Sequence, residues 1–245
     1  MKKIIAFIYG VIAYLVFLGA FLYAIAFTGD FAVAKTINTG LETPFTQALL
    51  INVVLLSIFA LQHSIMARPG FKEWWTKFIP QSIERSTYVL LSSLALILIY
   101  WQWRPMTDIV WQVQNEAGEI LLYGLFASGW LIVLLSTFMI NHFDLFGLKQ
   151  VYENLKKIEP QPIPFKVSFL YGVVRHPIML GFVIAFWATP VMTVGHLIFA
   201  VTTTLYILIA IKFLEERDLK KVHGDRYTEY QQKVPMLIPF TKRQK

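Results

Sequence analysis

Four short stretches carry side chains able to act on a ligand: Tyr171 with Arg175-His176-Pro177 and Gly181, the pair Glu215-Glu216, the run Asn141-His142-Phe143-Asp144, and His63. Arg175 and His176 put positive charge and hydrogen-bond donors just before a proline able to open a helix, where its missing N–H leaves nothing unpaired. Glu215 and Glu216 close a long apolar run, a poor place for anions because the carboxyl end of a helix favours cations. Two explanations compete for them. One is ion pairing within the protein, with Lys212 four residues before Glu216 or with Arg217 nearby. In the other, one carboxylate is paired while its neighbour, about 100° round the helix, faces a pocket. Ionisable groups at membrane depth mark functional sites. A cluster of both signs at an apolar boundary suits a polar cofactor reacting with an apolar substrate. His142 reads either as part of a helix cap, complementing the dipole, or as a residue of the site. His63 reads as a hydrogen-bonded residue between helices, and His196 as a bystander near an outer turn. No two His stand four apart and there is no Cys, so metal, disulfide and cysteine-nucleophile chemistry are not expected. Nucleotide-binding glycine loops are absent as well.

The elements that must position these groups are membrane spans. Over 245 residues the chain is 56% hydrophobic and 15% charged, with a mean hydropathy of +0.56, outside the range of soluble domains. Apolar runs repeatedly reach the ~20 residues that cross a hydrocarbon core. The expected fold is all-α: a polytopic transmembrane bundle of about six helices ending in a helical hairpin, one domain over residues 1–245. Residues 1–140 would hold four spans, near 4–27, 47–66, 87–103 and 119–140. Residues 141–245 would hold a cofactor-binding loop, the hairpin and a cytoplasmic tail. The first apolar run is too long for a cleaved signal. Trp74 and Trp75 suit a short interfacial helix, and Trp101, Trp103 and Trp111 an outer aromatic belt. Pro160, Pro162 and Pro164 favour extended backbone. Residues 177–214 exceed one span, and Pro190 to Gly195 breaks them into a hairpin whose first helix is short. The net charge of +7 sits in alternate loops, which argues for an orientation signal rather than nucleic acid. It predicts both termini in the cytoplasm, in a bacterial inner membrane.

The carboxy-terminal third resembles the superfamily of isoprenylcysteine carboxyl methyltransferases and phospholipid methyltransferases. The likeness rests on Tyr171, Arg175-His176-Pro177, Gly181, the hairpin, Glu215-Glu216, and Gly224, Tyr227, Tyr230, Val234-Pro235 and Pro239 in order. Over its length the chain is similar to the bacterial methanethiol S-methyltransferases, through Leu61 to Pro69, Glu84 to Val89, Asn141 to Leu148, and Phe186 to His196; NnrU-type proteins share parts of this pattern. The resemblance implies an S-adenosylmethionine cofactor at the cytoplasmic face and methylation of methanethiol to dimethyl sulfide. It implies cofactor contacts at Tyr171, His176, Pro177, Glu215 and Glu216. Gly181 joins them as a point where a ligand or helix can approach closely. Met179 departs from the family's frequent Tyr and is expected only to line the pocket. Since the thiolate is the nucleophile, His142 is the candidate base and Arg175 the candidate electrostatic support. Expected partners are a small apolar thiol and the bilayer, with no nucleic acid and no metal. A lipid or prenyl-cysteine acceptor, or a non-catalytic NnrU-like transporter or sensor, are the alternatives.

Overall fold

The computed structural model describes residues 1–159, 161 and 165–241, and the expected proline run at Pro160, Pro162 and Pro164 lies outside the described residues. Five described helices are long and apolar enough to cross a membrane: Lys2–Gly29, Phe45–Met66, Gln81–Gln102, Glu116–Ile140 and the continuous stretch Val194–His223. Their outward faces carry exposed Ile, Leu and Phe throughout, which water would penalise and lipid tails would not. This is an integral membrane protein.

The chain forms two compact units, Met1–Thr107 with Asn141–Pro162, and Asp108–Ile140 with Ile163–Lys245. In the first, α1 (Lys2–Gly29), α2 (Phe45–Met66) and α4 (Gln81–Gln102) are the long helices; α3 (Pro69–Trp75), α6 (His142–Leu145) and α7 (Leu148–Lys156) are short. Pro69 sits in the first turn of α3, where its fixed φ is already helical. α7 lies on α1 at Gly10, where an added Cβ would fall 2.5 Å from Val151. Polar side chains tie the ends. Asn52, fully buried, donates to the Arg104 carbonyl at 2.7 Å and accepts from its N–H at 2.9 Å. Trp103 is also fully buried and donates to Ile37 O at 3.1 Å. It is therefore a core residue rather than part of an outer belt, because the 30–44 loop folds over it. His63 lies 3.0 Å from the Tyr88 hydroxyl and 3.3 Å from Ser92 Oγ, the expected interhelical role.

The second unit contains β1 (Ile109–Gln112), α5 (Glu116–Ile140), α8 (Leu170–Val173), α9 (Pro177–Trp187), β2 (Val191–Thr193) and α10 (Val194–Ala210). A single π-helical turn, Ile211–Glu215, leads on to α11 (Glu216–His223) and α12 (Asp225–Lys233). The ribbon β1–β2 is antiparallel, pairing Ile109 with Thr193 and Gln112 with Val191. The fold is the expected all-α membrane bundle with this ribbon added: its strands are too short to show an alternating pattern, and each forms only because the other is present. The hairpin is confirmed in an uneven form. With 11 residues, α9 spans about 16 Å, roughly half a hydrocarbon core. It packs closely on α5 through facing glycines; a Cβ on Gly181 would fall 2.6 Å from Gly129 O. His196 caps into this corner, its Nε2 3.0 Å from Phe186 O.

Candidate functional site

Arg175 and His176 lie between the end of α8 and the start of α9, and Pro177 opens α9. The backbone there is clasped by the segment after α12. The Arg175 N–H donates to Pro235 O at 2.9 Å and that of His176 to Met236 O at 3.2 Å. These bonds give the Val234-Pro235 motif a structural purpose: an extended strand-like segment that fixes the cationic pair. Tyr227, Tyr230 and Val234 form the buried face of α12 and the residue after it, packing with Phe165 and Leu219. The Tyr230 hydroxyl donates to Tyr171 O at 2.5 Å, which anchors α8.

Glu215 and Glu216 flank the His176 ring. Glu215 Oε2 is 3.5 Å from Nδ1, and Glu216 Oε1 is 3.2 Å from Nε2. Glu216 is the more heavily used of the two. Its Oε1 accepts from Arg175 Nε at 2.7 Å and pairs with Nη2 at 2.5 Å, while Oε2 accepts from Gln231 Nε2 at 2.9 Å. The Lys212–Glu216 pair that helical spacing suggests is therefore replaced by a pair 41 residues apart in sequence. Glu215 keeps 43% of its side chain exposed, against 13% for Glu216. The π turn ends at Glu215; such a turn inserts one residue and rotates the side chains beyond it, here bringing both carboxylates to one ring.

The electrostatics arise from these partners. Burial alone would lower the His176 pKa, but hydrogen bonds to Glu215 and Glu216 and their charge outweigh it and raise the imidazole to about 8. At neutral pH the site holds an imidazolium between two carboxylates. Burial, with the charge of Glu215 nearby, pushes the Tyr171 hydroxyl upward, so it stays protonated; its oxygen lies 3.5 Å from Ser136 O.

Tyr171, Arg175, His176, Pro177, Gly181, Glu215 and Glu216 all fall in the second unit, and the charged members form one connected cluster. Gly181 faces α5, so its missing side chain is taken up by a helix. Met179 packs with the apolar group around Ile207, Ile211 and Leu237. His142 belongs to the first unit. There it is buried, its Nε2 2.8 Å from the Tyr14 hydroxyl, amid Phe143 and Phe146. Asn141 follows the last residue of α5 with a positive φ of 157° and also caps α6, accepting from the Asp144 N–H. Gln231 is a member of the cluster that no sequence motif marks. The signal available is the i, i+3, i+4, i+7 pattern of Tyr227, Tyr230, Gln231 and Val234, which places it beside the buried tyrosines. Among the described residues there is no grouping of side chains suited to a metal ion.

A family model described as NnrU protein matches residues 51–240. Over 243 residues, 99% of both chains, the sequence is 56% identical to a protein named methanethiol S-methyltransferase from Mycobacterium tuberculosis. It is 52% identical to one of the same name from Crocosphaera subtropica, over 98% of this chain and 94% of that one. A more distant likeness, 29% over 178 residues, joins it to Nurim of Mus musculus, covering 69% of this chain and 67% of the relative. No solved structure matches the chain.

Proposed function

This chain belongs to the NnrU protein family, and we propose that it transfers a methyl group from S-adenosylmethionine to methanethiol, forming dimethyl sulfide. The observation that carries this reading is the 56% identity, spanning 99% of both chains, with a protein named for that reaction. The charges of the cluster support it. When bound, S-adenosylmethionine supplies an electrophilic methyl group on a cationic sulfur. Glu215 suits that cation: it is half-exposed, and its ion pair among the described residues is the 3.5 Å contact with His176. Glu216 and Arg175 hold each other and, through Glu216, the imidazolium. Tyr171 in α8 and Pro177 in the first turn of α9 flank Arg175 and His176 along the chain. For the acceptor, the thiolate is the reactive form. His142 has the protonation state that a base needs, because burial lowers its pKa and keeps it neutral at pH 7. We assign thiol deprotonation to it, with Tyr14 fixing its ring. The basic loops support a cytoplasmic position for both termini. A reporter fused to the C-terminus that is active only outside the cytoplasm would overturn that orientation.

The test is direct. Purified protein given donor labelled in its methyl group, together with methanethiol, should place the label in headspace dimethyl sulfide. Binding of the donor without label transfer to any thiol in a panel would sink the acceptor assignment. Absence of donor binding would sink the enzyme reading altogether.

A further inference from the structure

The charged cluster around His176 lacks one charge that the proposed donor needs. S-adenosylmethionine carries a carboxylate besides its ammonium and sulfonium, so orienting it requires a cation as well as two glutamates. Arg175 does not supply that cation. It is 8% exposed, Nε and Nη2 are committed to Glu216, and Nη1 donates to the carbonyls of Val234 at 2.5 Å and Gln231 at 3.2 Å. Both nitrogens of His176 face carboxylates.

Beside Glu216 lies a cavity of about 320 Å³, lined by Lys212, Phe213, Glu216, Arg217, Lys220 and Gln231. Lys212, Glu216 and Lys220 recur every four residues along the helix, with Arg217 flanking them. Among the described residues none of the three cations pairs with a carboxylate; Lys212 Nζ rests 5.4 Å above the Phe213 ring. The one acid in the wall has Oε1 occupied by Arg175 and His176, while among the described residues Oε2 accepts only from Gln231. Cations at the end of a span serve orientation without further purpose, but here they converge on a cavity that already includes the most heavily bonded carboxylate of the site. The wall offers a fork-shaped guanidinium and two ammonium groups for an anion, next to a carboxylate oxygen with capacity left for a cation.

Resting on the donor reading above, we propose that this cavity receives the amino-acid end of S-adenosylmethionine. Its carboxylate is held by Lys212, Arg217 and Lys220, and its ammonium faces Glu216. Recognition of the donor's carboxylate then resides in Lys212, Arg217 and Lys220, which the resemblance motif does not include.

Calorimetric titration in phosphatidylcholine nanodiscs tests this, using S-adenosylmethionine and its decarboxylated analogue as probes. The parent should prefer the intact donor by about tenfold or more, the size of a charge-assisted contact. Arg217→Gln with Lys220→Gln should abolish that preference by weakening the intact donor alone, and Arg217→Lys should keep part of it. These side chains are exposed, so thermal midpoints should not move. If the double variant keeps the parental preference, the cavity is not the carboxylate site. Should the substitutions change binding only in discs containing anionic lipid, a lipid headgroup occupies the cavity and the assignment falls while the donor reading stands. If the parent binds neither probe, the donor reading itself fails.

Discussion

His142 and His176 are both buried, one in each unit, and their surroundings drive them in opposite directions. In the first unit His142 meets a tyrosine hydroxyl and phenyl rings, and burial lowers its pKa. In the second, His176 lies between two carboxylates and is raised to about 8 although burial opposes it. Burial removes water from both rings, but the partners decide which protonation state survives. The contrast extends to the units themselves. The first is fastened by neutral groups such as Asn52, Trp103 and Tyr100, with its Lys149 ion pairs long and partly exposed at 3.5 and 3.8 Å. The second holds the ion pairs of Arg175 and His176 with Glu216 in one largely buried cluster. A neutral imidazole and a fixed cation differ in what they can do, and each unit holds one of them.

Glu216 is the carboxylate that holds the charged cluster together. Glu216→Ala leaves Arg175 buried and unpaired, and should cost about 3–5 kcal/mol of stability, read from denaturant or thermal unfolding. Glu215→Gln, by contrast, should leave unfolding nearly unchanged and weaken donor affinity about tenfold. If both variants behave alike, the division of labour between the carboxylates is wrong.

On the neutral side, His142→Ala should lower turnover by about 10²-fold or more, the usual contribution of a general base, with donor affinity retained. Tyr14→Phe should have a smaller effect in the same direction. A His142→Ala protein that melts earlier yet methylates methanethiol at the parental rate would reduce His142 to a packing residue.

The two histidines also make stability depend on pH with opposite signs. A folded-state pKa of about 8 against an unfolded value near 6.5 means that His176 stabilises fully below pH ~6.5. That contribution, roughly 2 kcal/mol, is lost as pH rises through about 8. His142 has the opposite sign: its lowered pKa makes protonation unfavourable in the folded state, so stability falls as the solution is acidified below its unfolded pKa. Thermal midpoints between pH 5 and 9 should therefore lose their alkaline slope in His176→Gln and part of their acid slope in His142→Gln. An unchanged alkaline slope in His176→Gln would show that another group sets it.

Hydropathy along the chain is enough to place the long helices, because crossing a hydrocarbon layer is a demand on each residue of a run and needs no knowledge of neighbours. Residue type and position also expose Arg175, His176, Glu215 and Glu216 as a set, since charges at the ends of apolar segments are conspicuous. Their pairing is not legible there. Spacing along one helix suggests Lys212 for Glu216, whereas the fold supplies Arg175 from another segment, with Gln231 completing the shell. The π turn before Glu216, the burial of Trp103 and the ribbon between residues 109–112 and 191–193 are equally hidden. Each depends on contacts between distant segments, and a local pattern carries no record of what another segment will bring. For the same reason, sequence alone marks His142 and His176 as able to do chemistry, while only tertiary structure makes the first a neutral group beside a phenol and the second a cation between two carboxylates.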